Sequence, residues 1–245
     1  MPKLRSPKNA LRGKTALITG ATQGIGLAIA RALASEGCNL VVCGRDQSRL
    51  NKVKAELSRN KVRVLAPECD VRDEHGLREM FTAVRRHVPR LDILINNAGV
   101  AHASRPAREL STDDWNDVIA TNLTGMFLVT QAGLPLMKRG AVIVNNLSIA
   151  AKRVFAGSSA YNASKYGALG FTNTLREELR EQGIRVIALL PGATNTGIWE
   201  ALWPDAPRAK MIAPETVARA LVDALKLPPN ATIEELIIMP TAGSL

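Results

Sequence analysis

The 245-residue sequence predicts an α/β fold: a doubly wound parallel sheet of about seven strands with helices on both faces. Short apolar runs alternate with segments of helical period along the whole chain. The runs are apolar throughout rather than at every second residue, as in strands buried on both faces. No Pro/Gly/Ser-rich linker divides the alternation, so one domain is expected over 11–245, preceded by a flexible basic tail at 1–10.

The elements follow in order. TALITGA at 15–21 is a short apolar run closed by glycine and reads as a buried strand. In 24–37, Ile25, Ile29 and Leu33 recur at helical spacing and Gly37 ends the helix. A strand is expected at 39–45, then a helix at 46–60 with Leu50, Val53 and Leu57 on one face. A third strand at 61–71, a helix at 72–88 and a fourth strand at 91–99 continue the pattern. Ser111 or Thr112 caps what reads as one long apolar helix over 112–138. A strand at 141–148, a helix at 161–183 and a strand at 184–192 come next. Pro214 opens the last helix, and 232–240 contains the last strand.

Composition narrows the function. At 46% hydrophobic and 22% charged the chain is ordinary for a globular protein, and no apolar run has the length of a membrane-spanning helix. The net charge of +10 raises nucleic-acid binding as an option. The cations are dispersed, however, and four phenylalanines with two tyrosines make a poor base-stacking surface. No nucleic-acid or membrane partner is therefore expected. Cys38, Cys43 and Cys69 have no metal-binding spacing and read as reduced thiols of a cytoplasmic protein, with no metal site.

TGATQGIG places Gly20, Gly24 and Gly26 between the first strand and the first helix. Glycines there permit a tight turn, and the helix N-terminus offers N–H groups to a phosphate. The second strand ends in VVCGRD, with Gly44 where a ribose-binding acid would stand and Arg45 next. A guanidinium suits a 2′-phosphate, so NADP(H) is preferred, with NAD(H) possible. Asp46 is placed to compete for Arg45.

The chain's two tyrosines flank a lysine in YNASKY, where Lys165 follows Tyr161 by four residues. That spacing puts both groups on one helical face, one turn apart. A lysine cation there would pull the phenol below its usual value of about 10, suiting proton transfer near neutral pH. Tyr166 is turned away from Lys165 and is expected to pack.

With TGATQGIG, CDV, NNAG, TNLTG, VNNLS, YNASK and LLPGATNT in this order, the sequence resembles the short-chain dehydrogenase/reductase family from about Leu11 to Pro240. It is similar to 3-oxoacyl-carrier-protein reductase-like members. The resemblance implies a Rossmann-like fold and a reaction interconverting a carbonyl and an alcohol. It implies Tyr161 as general acid/base, Lys165 tuning it and binding the nicotinamide ribose, Ser148 holding the substrate oxygen, and Asn122 anchoring a water that leads to Lys165. For the cofactor it implies the turn with Gly20, Thr22, Gln23, Gly24, Ile25 and Gly26, and Arg45 beyond it. Asp70 and Val71 would meet the adenine, Asn97, Ala98 and Gly99 would pass the ribose, and Pro191, Gly192, Thr194 and Thr196 would hold the nicotinamide end.

Some residues depart from the family pattern. Gln23 stands where NADP-dependent members often carry a base, and Asn146 and Leu147 precede the serine where Ile-Ser is usual. The segment 194–215 is the expected substrate lid, with Ile198, Trp199, Leu202, Trp203 and Met211 as an apolar cover. A homo-oligomer is expected, a tetramer or a dimer, through the 112–138 helix and the Tyr161 helix. A non-catalytic dinucleotide sensor or scaffold of the same fold is the rival reading, and the intact Asn122, Ser148, Tyr161 and Lys165 set favours the enzyme.

Overall fold

A computed structural model describes residues 10–243. The expected basic tail lies outside the described residues apart from Ala10. Seven strands, β1 (Thr15–Thr19), β2 (Asn39–Cys43), β3 (Val64–Leu65), β4 (Leu91–Asn96), β5 (Met137–Asn146), β6 (Arg185–Pro191) and β7 (Glu235–Ile238), form one parallel sheet. The spatial order is β3-β2-β1-β4-β5-β6-β7. The helices are α1 (Gly24–Ser35), α2 (Gln47–Ser58), α3 (Glu74–His87), α4 (Thr112–Ile119), α5 (Gly125–Gly133), α6 (Ser159–Arg180), α7 (Trp199–Leu202) and α8 (Pro214–Leu225).

Alternate side chains of each strand leave on opposite faces. Ile18, Val42, Ile95, Val144 and Leu189 enter a core that includes Ile29 and Leu33 of α1 and Leu221 of α8. Leu17, Val41, Leu94, Ile143 and Val186 enter the other, with Phe81 of α3, Val129 of α5 and Leu175 of α6. Each such side chain contributes about 1.5–3 kcal/mol on leaving water, which is why the runs are apolar on both faces. The chain winds from β1 to one edge and then returns to β4 on the other side of β1. The crevice between the C-terminal ends of β1 and β4 is therefore the topological switch point, where such sheets bind ligands.

Two expected elements differ. The third strand is only Val64–Leu65, with an isolated bridge from Gly44 to Glu68 beyond it. Pro67 has no N–H to contribute and interrupts the ladder. The expected helix over 112–138 is broken into α4, a π-helical turn at Ala120–Thr124, α5 and a 3-10 turn at Leu134–Leu136. Its last residues already belong to β5, where Met137 pairs with Leu91. Pro135 ends the helical ladder, and an apolar stretch such as LPLM has no period that separates helix from strand.

Candidate active site

A cavity of about 1010 Å³ runs across the C-terminal ends of the strands. Gly20, Thr22 through Gly26, Arg45 and Asp70 line one end, and Ser148, Tyr161 and Lys165 line the other. Arg45 follows β2 and Ser148 follows β5, three strand spacings apart, or about 14 Å. Every residue expected to bind the cofactor lines this cavity, and so do Ser148, Tyr161 and Lys165. Asn122 is not among the lining residues.

The glycine turn is built for close approach. Gly20 has φ +63° and Gly24 has φ +56°, and both favour glycine. A Cβ on Gly26 would come within 2.3 Å of the Asn97 Nδ2 and 2.5 Å of the Gly20 carbonyl oxygen. Thr196 lies against the turn, its Cγ2 3.2 Å from where a Gly24 Cβ would stand. Gly192 is equally constrained, since a Cβ there would meet Met239 Sδ and Pro240 Cδ, each at 2.9 Å. Such a cradle at the N-terminus of α1 fits a dinucleotide's diphosphate.

Two asparagine ladders cross the strand ends. Asn96 Nδ2 donates to Asn145 Oδ1 at 2.8 Å, and Asn145 Nδ2 donates to Thr172 of α6 at 2.9 Å. One residue on, Asn97 Nδ2 donates to the Thr19 and Gly20 carbonyls at 2.9 and 3.1 Å. Asn97 Oδ1 accepts from Asn146 Nδ2 at 2.8 Å, and the Asn146 carbonyl accepts from Lys165 Nζ at 3.3 Å. The second ladder thus links the glycine turn to Lys165. Asn146, noted in the sequence only as a departure, is its middle rung, and its Oδ1 is buried without a partner.

The electrostatics of Tyr161 differ from the sequence expectation. Burial pushes its phenol above the usual value, while the Ser148 hydroxyl, a donor to the phenolate, pulls the other way. Lys165 Nζ lies 5.5 Å from the ring centroid, and burial lowers its own pKa to about 8. The lysine is a poorer cation in this dry setting than a surface residue, and it does not offset the desolvation of the phenol. Ser148 also accepts from the Ala150 N–H at 3.1 Å, which fixes its side chain at the end of β5.

Asn122 sits in the π-helical turn, and its side-chain hydrogen bonds go to Val100 and Ser164 rather than to Lys165. Its Oδ1 accepts from Val100 N at 2.8 Å, and its Nδ2 donates to the Val100 carbonyl at 2.9 Å and Ser164 Oγ at 3.1 Å. The side chain clamps the loop after β4 to α6. Asp70 is held below its usual carboxylate value, chiefly by hydrogen bonds from the Arg72 guanidinium.

At the adenosine end Asp46 does not compete for Arg45. Its carboxylate caps α2 by accepting from Arg49 N at 2.9 Å. Arg49 pairs with Asp46 through Nε at 3.2 Å and donates from Nη1 to Gln23 Oε1 at 3.1 Å. A base therefore stands behind Gln23 after all, supplied from the first turn of α2. The D-x-x-R spacing at 46–49 was the signal that could have located it.

From the expected cover, Ile198, Trp199, Leu202 and Trp203 line the cavity, and Met211 does not. Trp199 Nε1 donates to the Thr194 carbonyl at 2.9 Å, and Thr194 Oγ1 donates to the Gly192 carbonyl at 3.0 Å. Arg208 donates to the Thr196 carbonyl at 2.6 Å, and Ile212 N donates to the Ala193 carbonyl at 3.0 Å, so the cover is tied to its own base. Tyr166, expected to pack, is 44% exposed, because α6 presents that side outward.

Comparison with known proteins agrees with this geometry. The family model described as short chain dehydrogenase matches residues 14–207, and the chain belongs to that family. Sulfoacetaldehyde reductase 2 of Chromohalobacter salexigens is 36% identical over 92% of this chain and 93% of its own. A 3beta-hydroxysteroid dehydrogenase of Mediterraneibacter gnavus is 35% identical over 76% of this chain and 68% of its own. Among solved structures, an alcohol dehydrogenase from Thermococcus sibiricus complexed with 5-hydroxy-NADP superposes with a TM-score of 0.87 at 31% identity, covering 93% of this chain and 97% of that one. No helix among the described residues is long and apolar enough to cross a membrane.

Proposed function

We propose that this chain is an NADP(H)-dependent oxidoreductase that interconverts a carbonyl and its alcohol, with Tyr161 as the proton donor and acceptor. The observation that carries this reading is the convergence of Ser148, Tyr161 and Lys165 at one end of a cavity whose other end holds the glycine turn and Arg45. The NADP-bound structural relative supports the choice of cofactor.

Bound NADPH would supply the hydride. Gly20, Thr22, Gly24, Ile25 and Gly26 would hold its diphosphate, Arg45 and Gln23 the 2′-phosphate side, and Asp70, Val71, Asn97, Ala98 and Gly99 the adenosine. Pro191, Gly192, Thr194 and Thr196 would hold the nicotinamide end. The Ser148 and Tyr161 hydroxyls both donate to the substrate oxygen and fix its position. Tyr161 then gives its proton to that oxygen as negative charge develops there. A phenol held above its usual pKa keeps that proton at neutral pH, which favours the reducing direction. Lys165, donating to the Asn146 carbonyl, holds a positive charge beside the phenol and returns a proton to it. Asn122 holds the Val100 loop and α6 around the lysine, and we assign its turn as the place where a relay water docks.

We take 11–245 as one catalytic unit, with 194–215 as its cover. The buried thiols Cys38, Cys43 and Cys69 suit a reducing cytoplasm. Exposed Trp115, Phe127 and Tyr166 on α4, α5 and α6 support a homo-oligomer.

The test is NADPH consumption, followed optically, over a panel of ketones and aldehydes. Tyr161→Phe should lower turnover by roughly 10²–10⁴-fold, since the ring stays and the proton goes. The variant should still bind NADPH within about twofold of the parent, because uniform binding is untouched. Retention of most activity would overturn the role of Tyr161.

A further inference from the structure

The catalytic half of the cavity is unusual in its charge. Four charged residues line the whole cavity among the described residues: Arg45, Asp70, Lys165 and Glu200. Arg45 and Asp70 stand at the adenosine end. The Lys165 ammonium is buried and donates to the Asn146 carbonyl. Among the lining residues not assigned to the cofactor, Ser148 and Tyr161 aside, the single charged one is Glu200 of α7, which is exposed.

Large apolar side chains share this part of the lining. Phe155 comes from the loop after β5, Met239 from beyond β7, and Ile198, Trp199, Leu202 and Trp203 from the α7 segment. Two nearby cations are committed elsewhere. Arg208 turns back to the Thr196 carbonyl, and Lys152 pairs with Glu235 at 2.5 Å. The α7 segment is held by the Trp199–Thr194 hydrogen bond, so Glu200 is carried on a fixed element.

We propose that the substrate is a neutral, largely apolar carbonyl compound, and that Glu200 excludes substrates bearing a sulfonate, carboxylate or phosphate near the reacting group. This rests on the reductase reading above and adds the substrate class. An anion entering this half must give up its water with no cation other than the buried Lys165 among the lining residues to replace it, and it meets a like charge. A neutral ring or chain gives up apolar surface to Trp199, Trp203 and Phe155 instead.

A matched pair of probes isolates the charge: 4-(methylsulfonyl)benzaldehyde, which is neutral, and 4-formylbenzenesulfonate, which is anionic. The two are close in size and both carry an electron-withdrawing group. The neutral probe should have a kcat/KM about tenfold or more above the anionic one, a difference of at least ~1.4 kcal/mol. Glu200→Gln should narrow that ratio severalfold, and Glu200→Lys should narrow it further. Kd values for both probes on the NADP⁺ complex, read from tryptophan fluorescence, should show the same order.

Equal or better use of the anionic probe by the parent overturns the proposal. So does a ratio that Glu200→Gln leaves unmoved, or a 4-trimethylammonio analogue that outperforms the neutral probe. If neither probe is reduced, the reductase reading is what fails on these compounds, and the Kd ratio still decides charge selection in the pocket.

Discussion

Arg49 Nη1 donates to Gln23 Oε1 at 3.1 Å, joining the first turn of α2 to the glycine turn before α1. The contact restores a positive charge beside Gln23, where the sequence shows an amide. Arg45 lines the end of the cavity assigned to the 2′-phosphate, and Arg49 reaches that end through Gln23. Each charge-assisted contact of this kind contributes about 1.5–3 kcal/mol, or roughly ten- to a hundred-fold.

Arg45→Ala should lower the NADPH-to-NADH ratio of kcat/KM by about tenfold or more, and Arg49→Ala by a smaller factor in the same direction. Gly44→Asp with Arg45→Ala should turn the preference toward NADH. The measurement is the kcat/KM ratio for the two cofactors. An unchanged ratio in both single variants would reduce the two arginines to solvated surface groups. Stability should hardly move, because the Arg49–Asp46 pair is exposed.

Lys165 should be a residue that costs stability. Its pKa falls from 10.5 to about 8 in the folded protein through burial. Between those values the unfolded chain binds more protons than the folded one, so this group makes stability rise with pH across that window. Below pH 8 its cost is fully present, and the fall in pKa corresponds to a cost on the order of 3 kcal/mol. Lys165→Met should therefore be more stable than the parent at pH 7 and lose that rise, while losing turnover. Denaturant titrations at pH 7 and pH 9.5 check both signs, and a less stable variant at pH 7 would refute the account.

Trp115 is 39% exposed, Phe127 44% and Tyr166 44%. Phe127 packs edge-to-face on Phe171 of α6, with ring centroids 6.0 Å apart, so α5 and α6 share an outward face. A second copy of the chain would cover it. Sedimentation at micromolar concentration should give a dimer or tetramer, and Phe127→Glu with Tyr166→Glu should shift it toward monomer. A stable monomer in the parent would overturn the expectation.

The sequence by itself determined the order of strands and helices, the glycine turn and the YNASK helix. Those signals are local. A buried strand needs a continuous apolar run, Gly20 and Gly24 need positive φ, and a spacing of four puts Tyr161 and Lys165 on one helical face. Only the tertiary structure decided what those residues meet. The ladder from Gly20 through Asn97 and Asn146 to Lys165 joins residues as many as 77 positions apart, because β1, β4 and β5 are neighbours in space. The break at Asn122 answers to the Val100 loop packed against it, and the direction of the Tyr161 pKa follows from burial that no spacing records. Glu200 is a surface residue of a short helix in sequence terms. Its place as the charge in an apolar wall comes from the fold of 194–212 over the strand ends, where Trp199 is tied to Thr194. Local chemistry is written residue by residue, whereas contacts, burial and dielectric belong to the assembled sheet.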